Sequence, residues 1–157
     1  MIIRKGTETD LHEVHSLVKE LAVYEKALNE VETTVSSMRE DGFGENPVFG
    51  FHVAEIAGKV VGLSLYYYRY STWKGKLLYL EDLIVRKACR GNGIGRKLME
   101  ATILEAKLQN CNGMQWQVLD WNQPALDFYN KYNPILDAEW INCRLTRNQI
   151  QDYGPIS

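Results

Sequence analysis

The chain has 157 residues, of which 45% are hydrophobic and 24% charged, and its formal net charge is −2. This composition is typical of a globular domain with a sizeable core and excludes binding to nucleic acid through a strongly basic surface. No apolar run approaches the roughly 18 residues of a membrane span, and the charged start "MIIRK" lacks a signal peptide's apolar stretch. We therefore expect a cytoplasmic protein with no nucleic-acid partner and no membrane partner.

The cysteine pattern predicts no metal site. Cys89, Cys111 and Cys143 are odd in number and far apart, which favours free thiols in a reducing cytosol over a zinc site. No internal repeat, low-complexity tract or Pro/Gly/Ser-rich linker interrupts the chain. We expect one domain over residues 1–157.

The first part of the chain is predicted to form an edge strand and two helices. The strand is "MIIRK", and Thr7 follows it as a helix N-cap. Apolar residues between Leu11 and Ala22 recur at helical spacing and predict an amphipathic helix of about four turns. A weaker helix is expected over 34–40, ending in the turn "DGFGENP".

From Pro47 onward the pattern favours strands. "VFGFHVAEI" and "KVVGLSLYYYRYS" are predicted to pair as a hairpin that turns at Ala57-Gly58, and "KLLYLEDLIVRK" is predicted to be the next strand. "MQWQVLDW" and "EWINCRL" are two further predicted strands, the second of which closes the sheet.

Two helices are predicted among these later strands. The longer one ends near 112–113, and its apolar positions are Ile94, Leu98, Ala101, Leu104 and Leu108. The shorter one carries "ALDFYNKY", is opened by Asn122 and Pro124, and is terminated by Pro134. The element order predicts an α/β (α+β) fold, a mixed sheet with helices on both faces.

The stretch "CRGNGIGRKL" places glycines at 91, 93 and 95 between a strand and a helix. A Walker A loop would need Gly-Lys followed by Ser or Thr, but Gly95 is followed by Arg96. A dinucleotide fingerprint would need glycine where Arg96 stands. It would also follow a strand buried on both faces, and because adjacent side chains alternate, Glu81 or Asp82 would enter a packed layer.

A third interpretation fits the loop better. Successive backbone N–H groups and the start of the following helix form a concave site for an anion such as a diphosphate, without a metal ion. Positive charge around this site comes from Arg90, Arg96 and Lys97.

Here the sequence resembles a known family. "V-x-x-x-x-R-G-N-G-I-G-x-x-L" is similar to the coenzyme A signature of the GNAT acyltransferases. The segments "EDGFGENP", "YSTWKGK", "LYLEDLIV" and "LDWNQPALDFY", with Trp140, resemble its diamine N-acetyltransferase branch. "YSTWKG" with "LDWNQ" is more similar to the thialysine N-ε-acetyltransferase members than to the spermidine/spermine enzyme.

The resemblance implies a GNAT fold whose mostly antiparallel sheet is splayed at the coenzyme A site. It also implies acetyl-CoA as cosubstrate, a small-molecule amine as acceptor, no metal, and a homodimer. The residues implied to bind the cofactor are Leu83, Ile84 and Val85 through their backbone, then Arg90, Gly91, Asn92, Gly93, Ile94, Gly95, Arg96, Asn122 and Tyr129.

Acetyl transfer to an ammonium group needs a proton acceptor, and a carboxylate also attracts the cation. Glu81 is the candidate base, with Asp82 holding the cation or organising water. The alternative is a structural salt-bridge pair at a strand bulge. Tyr129 is the acid that the resemblance implies for the departing thiolate, whereas the residues alone favour a core tyrosine beside Phe128.

Further substrate contacts are expected from Tyr24 and Glu25, which lie in a segment that the diamine branch uses to line its acceptor channel. Trp73 is expected to supply an apolar or cation–π wall. Each has an alternative as an ordinary exposed acid or packing aromatic. Ser71 stands where the polyamine enzyme carries an aspartate, which weakens the case for a long polycation. Asn133-Pro134 stands where the family commonly has glycine.

The main hypothesis is an acetyl-CoA-dependent N-acetyltransferase that acts on a thialysine-like or lysine-like amino acid, or on a diamine or polyamine, by direct attack in a ternary complex. The alternatives are a non-catalytic coenzyme A-binding sensor and an acetyltransferase that acts on a protein or peptide amine. Cys89 lies beside the diphosphate loop and is rejected as a nucleophile.

Overall fold

The computed structural model describes residues 1–154, and five strands form its single mixed sheet. The strands are β1 (Ile2–Lys5), β2 (Gly50–Ile56), β3 (Lys59–Ser71), β4 (Gly75–Val85) and β5 (Met114–Gln115), and they lie in that order across the sheet. The first four pair antiparallel, whereas β4 and β5 pair parallel. The mixed sheet and the edge position of the first strand are confirmed.

Helices cover both faces of this sheet, as expected. On one side lie α1 (Leu11–Tyr24) and α2 (Val35–Phe43), and on the other lies α3 (Ile94–Leu108). We call these sides the α1 face and the α3 face. The α1-face core comprises Leu11, Val14, Leu17, Met38, Phe51, Val53, Val60, Leu63, Leu65 and Ile84. Each fully buried leucine there contributes about 2 kcal/mol to stability.

An ion pair fixes the start of α1 against the edge strand. The Arg4 guanidinium donates to both oxygens of Asp10, at 2.7 and 2.8 Å. This pair holds the pKa of Asp10 at about 2. Thr7 caps a short 3-10 turn (Glu8–Asp10) that leads into α1. The turn and the ion pair together fix the direction of α1 and therefore the position of its last residues.

One predicted strand is shorter than expected, and another does not form. "MQWQVLDW" forms a strand only at Met114–Gln115, and no strand forms over 139–145. A strand satisfies its backbone groups only by pairing with another strand. The part of the chain described after Val118 contains α4 (Gln123–Asn130) and α5 (Arg147–Gln151) and offers no such partner.

The helix predictions need smaller corrections. The last residue of α3 is Leu108, and Leu104 and Leu108 are exposed, whereas Thr102 and Glu105 are buried. Glu105 tolerates burial because it accepts hydrogen bonds from Lys5 and Tyr68. The end of α4 at Asn130 precedes Pro134 by four residues, so proline is not its immediate stop.

The described residues divide into two compact units, Met1–Gln117 and the part that begins at Val118. Each is described by itself, and the expectation of one domain over 1–157 stays a prediction. In the second unit Asn133 has a φ of +50°, the left-handed conformation that asparagine tolerates in place of glycine.

Gly62 lets α3 pack closely on β3. A Cβ at this position would lie 2.9 Å from the Leu98 side chain and 3.3 Å from that of Ala54. We predict that Gly62→Ala lowers the free energy of unfolding by about 1–3 kcal/mol, because the extra methyl group forces the helix away from the sheet. Urea denaturation of purified protein measures this change.

Gly154→Ala is the matched control, since no atom lies within 4 Å of a Cβ at that position. The control should shift the free energy of unfolding by less than about 0.5 kcal/mol. Equal stability of Gly62→Ala and the wild type would contradict the close packing of α3.

Candidate active site

A β-bulge interrupts the pairing of β3 with β4. Leu65 lies opposite Asp82, and the next residue of β3, Tyr66, lies opposite Leu80. Glu81 is therefore the extra residue of β4, with no partner of its own on β3. Such an insertion bends the strand locally and changes which face the following side chains occupy.

The bulge brings two carboxylates to the same face of the sheet. Tyr79 stacks on its register partner Tyr67, which shares the α1 face with Leu65, so strand alternation places Glu81 on that face too. Ile84 packs into the α1-face core, so Asp82, two residues earlier, also lies on the α1 face. The expectation that these adjacent carboxylates take opposite faces is wrong, because the extra residue resets the alternation.

Negative charge accumulates around Asp82. Burial and the neighbouring charges of Glu81 and Glu25 raise the pKa of Asp82 to about 7. Burial also raises the pKa of Glu25, which directly follows the last residue of α1. Among the residues described, none of these three carboxylates forms an ion pair with a lysine or arginine. The cluster is therefore set to attract a cation from outside the chain.

Two tyrosines that the sequence analysis missed complete this face. The rings of Tyr67 and Tyr79 stack with their centres 5.2 Å apart, and Glu81 lies close enough for its charge to act on both hydroxyls. Burial, followed by the charge of Glu81, raises the pKa of both hydroxyls. The alternation of Leu63, Leu65 and Tyr67 along β3 is the sequence signal that would have placed Tyr67 here.

A shallow cleft opens beside Tyr67. It has a volume of about 230 Å³ and lies between residues 47–50 and the β3 residues 66–68. Its lining is mainly apolar and aromatic: Pro47, Val48, Phe49, Gly50, Tyr66, Tyr67 and Tyr68. Tyr67 is thus shared between this cleft and the carboxylate cluster.

β4 separates from β5 next to the carboxylates. The two strands pair only at Leu78 with Met114 and at Tyr79 with Gln115. From Leu80 to Val85 the β4 edge has no partner in β5, so its backbone N–H and C=O groups are not used in that ladder. The side chains of Leu83, Ile84 and Val85 pack into the two cores.

The glycine loop has the backbone geometry of an anion site. Gly91 and Gly93 have φ values of +81° and +74°, and a Cβ at either would meet no atom within 4 Å. Gly93 is the N-cap of α3, a helix of 15 residues whose first backbone N–H groups point into the loop. Inside the loop, the Asn92 amide donates to the carbonyls of Cys89 and Arg90 and holds its shape.

Arginine side chains surround this loop and reach the end of α1. The Arg90 side chain donates to the carbonyl of Val85 at 2.8 Å, and its guanidinium carbon lies 5.6 Å from the centre of the Tyr24 ring. Arg96 pairs with Glu100 at 2.8 Å on the first turns of α3. Tyr24, immediately before Glu25, therefore links the glycine loop to the carboxylate cluster.

Trp73 lies away from the cluster, at the exposed tip of the β3–β4 hairpin. The Ser71 hydroxyl accepts hydrogen bonds from the backbone N–H groups of Trp73 and Lys74, at 3.2 and 3.1 Å. From this tip to Glu81 the strand runs about 20 Å. The structure thus does not bring Trp73 next to the carboxylates, and Ser71 supports the turn.

In the second unit, Asn122 caps α4 as predicted. Its side-chain oxygen accepts a hydrogen bond from the backbone N–H of Ala125 at 3.3 Å. Tyr129 lies on the same helix, is 9% exposed, and meets Phe128 edge to face with ring centres 5.2 Å apart. The roles of Tyr129 and Asn122 toward the cofactor stay predictions.

Residues 1–154 hold no group of three His, Cys, Asp or Glu side chains that could bind a metal ion. No helix in this part of the chain is long and apolar enough to cross a bilayer.

Comparison with known proteins identifies relatives of this chain. Residues 12–133 match the Acetyltransferase (GNAT) family. A thialysine N-epsilon-acetyltransferase of Bos taurus is 39% identical over 153 residues, covering 91% of this chain and 90% of the relative. A spermidine/spermine N(1)-acetyltransferase-like protein 1 of Homo sapiens is 36% identical and covers 97% of this chain but 23% of the relative.

Solved structures agree with the fold. A tetramutant of the BH1408 protein from Bacillus halodurans superposes with a TM-score of 0.74 at 28% identity, covering 92% of this chain and 100% of that one.

The raised pKa of Asp82 makes stability depend on pH. With a pKa near its ordinary value of 3.8 when unfolded and about 7 when folded, the wild type loses stability as pH rises between these values. We predict that Asp82→Asn is more stable than the wild type at pH 8 by about 2 kcal/mol. The difference should shrink toward pH 4, as measured by denaturation at several pH values.

Asp41→Asn on the exposed surface of α2 removes the same charge and is the control. Its stability difference from the wild type should stay nearly constant over this range. A constant difference for Asp82→Asn as well would show that the carboxyl group of Asp82 is not buried among other charges.

Proposed function

The chain belongs to the Acetyltransferase (GNAT) family and is an acetyltransferase, and we propose that it transfers acetyl from acetyl-CoA to a primary amine of a small molecule. The convergence of Glu25, Glu81 and Asp82 on one face, beside the glycine loop, carries this proposal. A thialysine-like or lysine-like amino acid is the favoured acceptor. The names of the relatives support an amine acceptor of this type.

The glycine loop fits the diphosphate of coenzyme A. The left-handed backbone at Gly91 and Gly93, the open space beside both glycines and the start of α3 form a site that a side chain would obstruct. We assign residues 90–96 to this diphosphate, with no metal ion. The released β4 edge at Leu83, Ile84 and Val85 would hydrogen-bond the pantetheine arm through its backbone.

Bound acetyl-CoA supplies an acetyl thioester, and the chain supplies the groups that take the proton from the acceptor amine. A lysine-like amine has a pKa of about 10.4 in water and arrives as an ammonium ion. Glu81 and Asp82 act as a coupled pair that holds this cation and accepts its proton, directly or through water. Because the pKa of Asp82 is about 7, the pair is poised to accept a proton near neutral pH.

The resemblance assigns the remaining proton to Tyr129. As the new carbon–nitrogen bond forms and the carbon–sulfur bond breaks, Tyr129 donates its phenolic proton to the departing sulfur. Asn122, besides capping α4, contacts coenzyme A. These two assignments rest on the resemblance of "LDWNQPALDFY" to the family.

We also propose a cytoplasmic homodimer. The resemblance to the diamine N-acetyltransferase branch supports the dimer, and the second unit carries large apolar side chains that favour burial. They include Ile135, Leu136, Trp140, Ile141, Leu145 and Ile150.

A panel of amines tests the function. The wild-type protein is incubated with acetyl-CoA and either thialysine, lysine, spermidine or a histone-type peptide, and free thiol is measured. We expect thiol release that requires the amine and is fastest with thialysine or lysine. Cofactor binding without release for any amine would favour the alternative, a coenzyme A-binding sensor. Release with the peptide alone would favour a protein acceptor.

We predict that Tyr129→Phe turns over at least tenfold more slowly while its affinity for acetyl-CoA is retained, because the phenolic proton is lost and the ring stays. Steady-state kinetics and calorimetric binding measure the two effects. Tyr153→Phe, at an exposed tyrosine of the same unit, is the control and should keep wild-type turnover. Wild-type turnover by Tyr129→Phe would remove this residue from the mechanism.

A further inference from the structure

A cation lies on the same face as the carboxylate cluster, farther along β3. Leu63, Leu65, Tyr67 and Arg69 occupy alternate positions of this strand, and Leu63 and Leu65 belong to the α1-face core. Strand alternation therefore places Arg69 on the α1 face. The residue is exposed, and its guanidinium carbon lies 5.9 Å from the centre of the Tyr79 ring.

The stacked tyrosines separate this cation from the carboxylates. The guanidinium group of Arg69 lies over the Tyr79 ring, and Tyr67, stacked on Tyr79, is within reach of the charge of Glu81. The charge of Arg69 also acts on both tyrosine hydroxyls, lowering their pKa values against the larger effect of burial. The face thus has a floor of two aromatic rings, with positive charge at one end and negative charge at the other.

In the part of the chain that the structure describes, Arg69 has no carboxylate partner. Within residues 1–154, its guanidinium group belongs to none of the ion pairs formed at 4.0 Å or less. A guanidinium group that lies over an aromatic ring can still bind both oxygens of a carboxylate through its planar N–H donors. Arg69 therefore lies near the Tyr79 ring and is available to an anionic group.

The spacing of the two ends suits a bifunctional molecule. The guanidinium group of Arg69 lies over Tyr79, and Tyr79 and Glu81 are two residues apart on β4. Their separation along the strand is about 7 Å. An extended lysine-like side chain joins its terminal ammonium to its α-carboxylate over a similar span. A polyamine of the same length would instead place a second ammonium beside Arg69, where like charges repel.

We propose that Arg69 is a specificity-determining residue that binds the α-carboxylate of an amino-acid acceptor, while Glu81 and Asp82 hold its terminal ammonium. This inference rests on the proposed function and adds a carboxylate subsite to it. It explains how one site selects an amino acid over a diamine with the same carbon chain.

The test compares two acceptors that differ by the carboxylate alone, lysine and 1,5-diaminopentane. In the wild type, kcat/KM is measured for both and expressed as the lysine-to-diamine ratio. In Arg69→Gln we expect this ratio to fall at least tenfold, chiefly through a higher KM for lysine, with kcat/KM for the diamine unchanged or raised. Arg69→Lys, which keeps the charge but not the planar fork, should recover part of the ratio.

Lys59→Gln is the matched control, because it removes one exposed positive charge at the opposite end of β3. It should leave the ratio at its wild-type value. An unchanged ratio in Arg69→Gln, or an equal loss for both acceptors, would overturn the carboxylate subsite while the acetyltransferase function stands. A wild type that acetylates no small amine would overturn the proposed function and this inference with it.

Discussion

The extra residue at Glu81 is the constraint on which the rest of the site depends. In a regular strand Glu81 and Asp82 would face opposite layers, and one of them would meet the α3-face core. The bulge turns both toward the α1 face, where Glu25 lies at the end of α1. None of these three carboxylates has a basic partner among the described residues. Their mutual repulsion therefore destabilises the folded protein when no cation is bound. The same repulsion favours binding of a cationic acceptor.

The framework around the bulge holds these groups in fixed positions. Arg4 and Asp10 tie α1 to the edge strand, and α1 brings Tyr24 and Glu25 to the site. α3 starts from the glycine loop and packs closely on β3 at Gly62. The three carboxylates, the released strand edge and the glycine loop therefore lie on neighbouring elements of the first unit. This arrangement suits the joining of a cationic amine to a phosphate-bearing thioester.

The sequence predicts the limits of single strands and loops better than it predicts which residues of two strands lie opposite each other. The limits of β3, Lys59–Ser71, follow from its apolar and aromatic run, and the glycine spacing at 91 and 93 follows from the backbone that the loop requires. The bulge leaves no mark in residue type, because it depends on which residues of two strands lie opposite each other. Arg69 was missed for a different reason, because its place in the alternation of Leu63, Leu65 and Tyr67 along β3 was not followed to the end of the strand. Residues 139–145 look like a strand, but pairing, which is non-local, decides whether one forms.

The shared face of Glu81 and Asp82 is measured most directly by NMR titration of the labelled carboxyl carbons. The account predicts that Asp82 titrates near pH 7 and that Glu81→Gln lowers this midpoint, because one neighbouring negative charge is removed. An Asp82 midpoint close to the ordinary value of 3.8, or one that Glu81→Gln leaves unmoved, would contradict the arrangement.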